Sequence, residues 1–191
     1  MKISLVDHTI NPEQKIGRFA SICYDAKTDS ESNAKRAAHC VKSGHLSTLR
    51  FAYATFHIDG ISRVCLAQLT RSKHLDYLVR SSRYCDESEA DFHVPDAIDH
   101  SLFAYEYGKH VEKSRLLYQK MREAGITKQD ARFVLPQAQE TALYATGNFQ
   151  AWRDFIRLRK IPAAQSEVYE VAVEIERHLN LIAPEVFGVV E

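Results

Sequence analysis

The longest helical pattern in the chain runs over residues 98–125 and most constrains the fold. Its apolar side chains recur at helical spacing, namely Leu102, Tyr105, Val111, Leu116, Leu117 and Met121. We predict one long amphipathic helix whose apolar stripe packs in the core. Since 191 residues are enough to bury one core and nothing requires a second, we expect a single domain over residues 1–191.

Shorter patterns on both sides of this helix predict an α/β (α+β) chain. Residues 2–7 and 51–58 read as strands, with Asp59-Gly60 as a hairpin turn into Ser62 and Val64. Further helices are expected from Pro12, over 34–43 with Gly44 as the C-terminal cap, over 62–70, from Thr127 to Pro136, and over 138–144, 149–159 and 163–180.

Composition and charge exclude several classes of function. Because 25 basic residues balance 25 acidic ones, a basic nucleic-acid-binding surface is not indicated, and any anion site must be local. The seven glycines form no GxGxxG array, which argues against a Rossmann crevice.

The cysteines, Cys23, Cys40, Cys65 and Cys85, have no metal-binding spacing, so we expect reduced thiols and no metal. No apolar run could span a bilayer and no signal peptide is visible, so we expect no membrane partner and a cytoplasmic location.

A local anion site is indicated by residues 71–84, RSKHLDYLVRSSRY. Four basic side chains stand here beside Ser81, Ser82 and Tyr84. Arginine forks and hydroxyls are the groups that hold phosphate oxygens, so we expect a phosphorylated small molecule. The alternative is a solvated helix face that carries scattered bases.

A second segment, residues 131–159, gives this site a family resemblance. The segment has Arg132 before Leu135-Pro136, then Asn148 and Leu158-Arg159, and beyond it come Ala164-Gln165 and Glu167. Upstream, Arg71, Ser81, Arg83 and Tyr84 stand where the flavin-dependent thymidylate synthases have the first Arg of an Arg-His-Arg triplet, a Ser and a final Arg-Tyr. The chain resembles this family over most of its length, through residues 21–24, 44–45 and 60–63 to Gln68.

The resemblance implies a fold and a reaction. It implies mostly helices around a small antiparallel sheet, a homotetramer, and conversion of dUMP to dTMP with FAD, NADPH and methylenetetrahydrofolate. The residues implied to bind the nucleotide are Gln68, Arg71, Ser81, Ser82, Arg83, Arg132 and Arg159. Those implied to contact the flavin are His45, Ser47, Arg71, Ser72, Lys73, Val79, Asn148, Gln150 and Asp154. Arg159 would be catalytic, stabilising the anionic pyrimidine; the alternative is an arginine that pairs with a helix C-terminus.

The chain departs from the family pattern around the flavin. Ser72-Lys73 replaces His-Arg, Asp76 and Val79 replace a Ser and a Glu or Gln, and Asp154 stands where Asn is common. Lys73 keeps the charge of an arginine but not its fork. Two other functions therefore stay open. One is another one-carbon transfer at C5 of a pyrimidine nucleotide, such as hydroxymethylation, and the other is nucleotide binding without turnover after decay of the flavin site.

Overall fold

A computed structural model of the chain describes residues 1–188. Within them, four strands form one small antiparallel sheet in the order β1-β2-β4-β3. The strands are β1 Lys2–His8, β2 Tyr53–Ser62, β3 Leu75–Val79 and β4 Glu140–Asn148. The mixed α/β architecture predicted from the sequence is confirmed.

Helices make up most of the remaining described chain. They are α1 Pro12–Ala20, α2 Ser30–Lys42, α3 Arg63–Leu69, α4 Asp96–Asp99, α5 Ala104–Glu123, α6 Lys128–Ala131, α7 Phe149–Arg159, α8 Ser166–Ile182 and α9 Pro184–Phe187. Side-chain caps fix several starts: Asp29 accepts a hydrogen bond from the Ser32 N–H at 2.9 Å, which begins α2 four residues earlier than predicted. Gly44 has a φ of +73° just after α2, as expected of a C-terminal cap.

The described chain divides into two compact units. Unit 1 consists of Met1–Lys2, Ile58–Leu69 and Leu78–Leu143, and unit 2 consists of Ile3–His57, Thr70–Tyr77 and the chain from Tyr144 onward. The single domain over residues 1–191 stays a prediction.

Unit 2 has an aromatic core around Trp152 of α7. Its ring packs edge to face on Phe56 at 5.1 Å and on Phe155 at 5.9 Å, and its Nε1 donates a hydrogen bond to the Ala54 carbonyl at 3.0 Å. A buried indole therefore keeps its polar atom satisfied. On α8, one face contributes Val168, Val171, Ile175 and Leu179 to the buried set.

Unit 1 is organised around Tyr118, the buried side chain of α5. The Tyr118 hydroxyl accepts a hydrogen bond from the Glu87 N–H at 3.2 Å. The Glu87 carboxylate in turn accepts bonds from Arg80 Nη1 at 2.6 and 2.7 Å. These contacts hold the segment that follows β3 against the helix.

The predicted apolar stripe over residues 98–125 is not core. Helix α5 begins only at Ala104, and Leu102, Tyr105 and Leu116 are 84%, 69% and 43% exposed. The helical period was right, but the helix turns Tyr118 inward and leaves most of the stripe on the surface. The interpretation of that stripe as core is therefore wrong for this chain taken alone.

Three further predictions are corrected by the strands. Strand β2 runs through Asp59-Gly60 without a hairpin, with Gly60 at φ +72°. Residues 138–144 are not helical, because Thr141, Leu143 and Ala145 alternate inward on β4 with the period of a strand. Residues 71–84 contain β3, so the alternative of a solvated helix face is wrong.

Candidate functional site

The segment that follows β3 forms a tight turn that presents the predicted phosphate-binding residues. The Ser81 carbonyl accepts hydrogen bonds from the N–H groups of Tyr84 at 3.1 Å and Cys85 at 2.9 Å. Ser82 is buried by this turn, whereas Arg83 is exposed, with its guanidinium 5.6 Å from the Tyr84 ring centroid. The turn thus places one hydroxyl inside unit 1 and one cationic fork at its surface.

Ser82 and Arg132 meet although 50 positions separate them in the sequence. Arg132 Nη1 donates a hydrogen bond to Ser82 Oγ at 3.0 Å, and Arg132 Nε donates to the Gln129 carbonyl at 3.1 Å. Both side chains line a cavity of about 280 Å³. Its full lining is Arg63, Ser82, Arg132, Phe133, Leu135, Pro136, Gln137 and Gln139.

Arg63 and Gln139 belong to this cavity but were missed as site residues. Arg63 Nε donates a hydrogen bond to Gln139 Oε1 at 3.2 Å. Burial lowers the pKa of Arg63, and the neighbouring charges of Arg132 and Arg80 lower it further, while Glu87 raises it. Arg63 could have been found from the sequence, because it lies in residues 60–63, one of the segments that carry the family resemblance. Gln139 has no such signal in the sequence around it.

Arg80 differs from the other basic residues of segment 71–84 because its guanidinium binds acceptors within the protein. Its hydrogen bonds to Glu87 raise the pKa of Arg80 and use Nη1 entirely within the protein, and Nη2 donates to the Asp86 carbonyl at 3.2 Å. Arg80 is therefore engaged by protein acceptors, unlike the anion-binding donor that the sequence suggested.

The other predicted nucleotide residues divide between the two units. Gln68 is half-buried on α3 in unit 1, and the predicted flavin residue Val79, at the end of β3, is half-buried in the same unit. Arg71 is exposed just after α3, and Arg159 is the last residue of α7; both belong to unit 2.

Unit 2 brings Ser72, Tyr77 and Arg159 close together. Burial raises the pKa of Tyr77 to about 12, while Ser72 and the charge of Arg159 act to lower it. The Tyr77 phenol is therefore a neutral group beside the predicted catalytic arginine. The position of Tyr77 next to Arg159 adds this tyrosine to the candidate site.

The start of α7 carries three of the predicted flavin residues. Asn148 caps the helix by accepting a hydrogen bond from the Ala151 N–H at 2.9 Å. Gln150 Nε2 donates a hydrogen bond to Oδ1 of Asp154, one turn further along the helix, at 2.9 Å. This bond fixes the amide, and Gln150 Oε1 is buried without a hydrogen-bond partner among residues 1–188. This orphaned acceptor is available to an N–H donor of a ligand.

The remaining flavin residues lie on exposed turns of unit 2. His45 precedes a 3₁₀ turn over Leu46–Phe51, and Ser47 in that turn lines a cavity of about 790 Å³ that also includes Phe19, Ile22 and Phe51. Lys73 is exposed and precedes His74, which adopts a φ of +64°. A flavin dinucleotide has a ring with N–H and carbonyl groups and two phosphates, so it offers a partner to each of these features of unit 2 taken separately: the apolar cavity, the orphaned acceptor and the exposed cations.

Residues 1–188 contain neither a cluster of metal ligands nor a membrane-spanning helix. No three His, Cys, Asp or Glu side chains in that range are grouped so as to hold a metal ion. None of the helices described is both long and apolar enough to cross a membrane. All four cysteines are free thiols, as predicted.

Comparison with known proteins identifies the family of the chain. The profile of the family described as thymidylate synthase complementing protein matches residues 4–185. The flavin-dependent thymidylate synthase of Mycobacteroides abscessus is 36% identical over 174 residues, covering 82% of this chain and 69% of its own length. The flavin-dependent thymidylate synthase of Geobacter sulfurreducens is 34% identical over 200 residues, covering 98% of this chain and 85% of its own. The chain belongs to the family of thymidylate synthase complementing proteins.

Proposed function

We propose that this protein is a flavin-dependent thymidylate synthase that converts dUMP to dTMP, with methylenetetrahydrofolate as carbon donor, NADPH as reductant and FAD as cofactor. The observation that carries the proposal is the Arg132 to Ser82 hydrogen bond of 3.0 Å at the cavity of about 280 Å³. It supports a phosphate site in a chain whose relatives are named for this reaction.

The nucleotide is held mainly by hydrogen-bond donors. Ser81, Ser82, Arg83 and Arg132 bind the phosphate in this proposal, where the arginine forks give paired contacts to its oxygens. Gln68 and Arg71 bind the rest of the nucleotide. These contacts orient the pyrimidine, and orientation alone removes much of the entropic barrier to reaction.

Arg159 stabilises negative charge that develops on the pyrimidine when C5 becomes nucleophilic. A fixed cation in a site that excludes water is a large contribution to the rate. The neighbouring Tyr77 supports this role, because its pKa of about 12 keeps its hydroxyl uncharged at physiological pH. A phenolate there would compete with the pyrimidine for the arginine.

The flavin is assigned to His45, Ser47, Arg71, Ser72, Lys73, Val79, Asn148, Gln150 and Asp154. When bound, it supplies the hydride that completes the methyl group, and NADPH restores it. Gln150 Oε1 is the acceptor that supports binding of the ring, since Asp154 already holds the other end of the amide. Lys73 and Arg71 supply positive charge for the phosphates.

A homotetramer is the assembly we propose. The exposed apolar side chains of the 98–125 segment support it, since a surface of this kind is typical of a subunit interface. A cytoplasmic location stays a prediction from the sequence.

The test is turnover by the purified protein with FAD, NADPH, methylenetetrahydrofolate and dUMP labelled with tritium at C5. We expect tritium release and dTMP in equal amounts. Arg159→Met should lower kcat by at least about a hundredfold, the usual effect of removing a group that stabilises developing charge. Tritium release with a hydroxymethylated product would replace the proposed reaction by the other one-carbon transfer. Binding of dUMP without tritium release would support a nucleotide-binding protein instead.

A further inference from the structure

We propose that Arg63 and Gln139 are further phosphate-binding residues, which complete a four-donor anion pocket with Arg132 and Ser82. The pocket is the cavity of about 280 Å³ in unit 1. The identity of the anion, the phosphate of the pyrimidine nucleotide, rests on the proposed function. The pocket itself rests on the contacts below.

The first step is that the two side chains are locked in place. The Arg63 N–H donates a hydrogen bond to the Gln139 carbonyl at 3.1 Å, and Arg63 Nε donates to Gln139 Oε1 at 3.2 Å. One side-chain contact and one backbone contact thus join the start of α3 to the residue just before β4. The pair is held in one orientation before any ligand arrives.

The second step is that each side chain keeps a buried donor without a partner. Arg63 Nη2 and Gln139 Nε2 are both buried, and neither has a hydrogen-bond partner in the described chain. Gln139 is 2% exposed, so its amide lies away from bulk solvent. Buried donors are rarely left unpaired in folded proteins, and an acceptor that entered the cavity would satisfy both.

The third step is that the chemistry of the pocket selects an anion. The unmet groups are an arginine N–H and an amide N–H, and Arg132 and Ser82 line the same cavity. Ser82 Oγ already accepts from Arg132, so its own hydrogen is free to be donated. A ligand here must offer several acceptors, as the oxygens of a phosphate do.

The fourth step is the charge. Arg63 lies within electrostatic reach of Arg132, Arg80 and Glu87. Glu87 is the one carboxylate among these four groups, and it is engaged by Arg80 at 2.6 Å. The positive charge of Arg63 and Arg132 is therefore left for a ligand.

The experiment compares dUMP with deoxyuridine, which differ only in the phosphate, by calorimetric titration without flavin. We expect Arg63→Met to weaken dUMP binding by at least about tenfold and to leave deoxyuridine binding unchanged, as for loss of a charged hydrogen bond. Inorganic phosphate should compete with dUMP in the wild type and compete less well in the variant. The matched control is Arg177→Met, an exposed arginine of α8 in unit 2, which should change neither affinity.

Gln139→Glu separates ligand binding from a structural role. The new carboxylate would pair with Arg63 inside the pocket, so we expect weaker dUMP binding together with an equal or higher melting temperature. A merely structural Gln139 would give a lower melting temperature and an unchanged preference for dUMP over deoxyuridine. This variant also carries the test if Arg63→Met does not fold.

The two proposals fail in different ways. If the wild type turns over but both variants keep the full preference for dUMP over deoxyuridine, the phosphate pocket is overturned and the proposed function stands. If the wild type makes no dTMP and the variants still lose that preference, the pocket stands and the proposed function fails.

Discussion

At the scale of single residues, Tyr77 shows how burial sets the charge of a group beside Arg159. Its pKa is raised from 10.0 to about 12, chiefly by burial. The native state thus holds the phenol proton more tightly than the unfolded chain does. The resulting stability is fully present below pH 10, the unfolded value, and is lost as the pH rises to about 12.

Tyr77→Phe should remove this loss of unfolding free energy at high pH, because phenylalanine has no proton to release. Between pH 10 and 12 we expect the wild type to lose about 1 kcal/mol more unfolding free energy than the variant, a value reduced for the partial exposure of the side chain. Urea unfolding at a series of pH values measures the difference. Tyr24→Phe, at an exposed tyrosine outside the proposed site and the proposed interface, is the control, and parallel pH profiles for wild type and Tyr77→Phe would contradict the prediction.

Glu87 is the second residue whose role is local electrostatics. It is 1% exposed and accepts both bonds from Arg80 near Arg63. Glu87→Gln should lower the unfolding free energy by about 2 kcal/mol, because the nearby arginines lose their buried counterion while Arg80 keeps some solvent. Chemical denaturation checks this against Glu112→Gln, which breaks a surface pair with Arg115 and should have no measurable effect. Equal stability of the two variants would show that Glu87 is not needed as a counterion.

At the scale of elements, the close approach of α1 and α2 depends on a missing side chain. A Cβ on Gly17 would lie 1.8 Å from the Asn33 carbonyl oxygen, which is backbone and cannot rotate away. Gly17→Ala should therefore destabilise the protein by about 3 kcal/mol, since the two helices must separate. The matched control is Gly108→Ala in α5, where nothing lies within 4 Å and where alanine should stabilise by up to about 1 kcal/mol. Thermal unfolding of the two variants measures the difference. A fall in melting temperature of similar size in both variants would contradict the predicted clash at Gly17.

The helices were easier to predict than the strands for a physical reason. Helix α7 has the bounds that the sequence predicted, and its start depends on a local contact, since Asn148 caps the helix through the Ala151 N–H. Strand β4 was read as a helix because Ala142, Leu143 and Ala145 suit either state, and only pairing with distant strands decides between them. The same holds for Asp59-Gly60, whose turn composition was overridden by continued pairing of β2.

At the scale of the whole molecule, the site is only partly readable from sequence. The resemblance pointed to Ser82 and Arg132, which the fold joins at 3.0 Å across 50 positions. No local pattern could pair Arg63 with Gln139, which are 76 positions apart. Nor could a local pattern show that Arg80 donates its hydrogen bonds to Glu87 and is therefore not available to a ligand. Motifs give residue types, whereas the assignment of each donor to a protein or a ligand acceptor requires tertiary contacts.

The assembly is the last property that belongs to the whole molecule. Tyr105 and Leu116 are exposed and lie 11 residues apart on α5, about three turns, so they share one face of the helix. An apolar face of this kind is costly in water and is expected to be covered by other subunits. Light scattering after gel filtration should give four times the chain mass of 21.8 kDa.

The double variant Tyr105→Glu/Leu116→Glu should shift the protein to smaller species, because charges would be buried in the interface. Ser30→Glu/Ser43→Glu adds the same charge at exposed positions around α2 and should leave the mass unchanged. A wild type that elutes as a monomer, or a double variant that keeps the wild-type mass, would show that this face does not form the assembly.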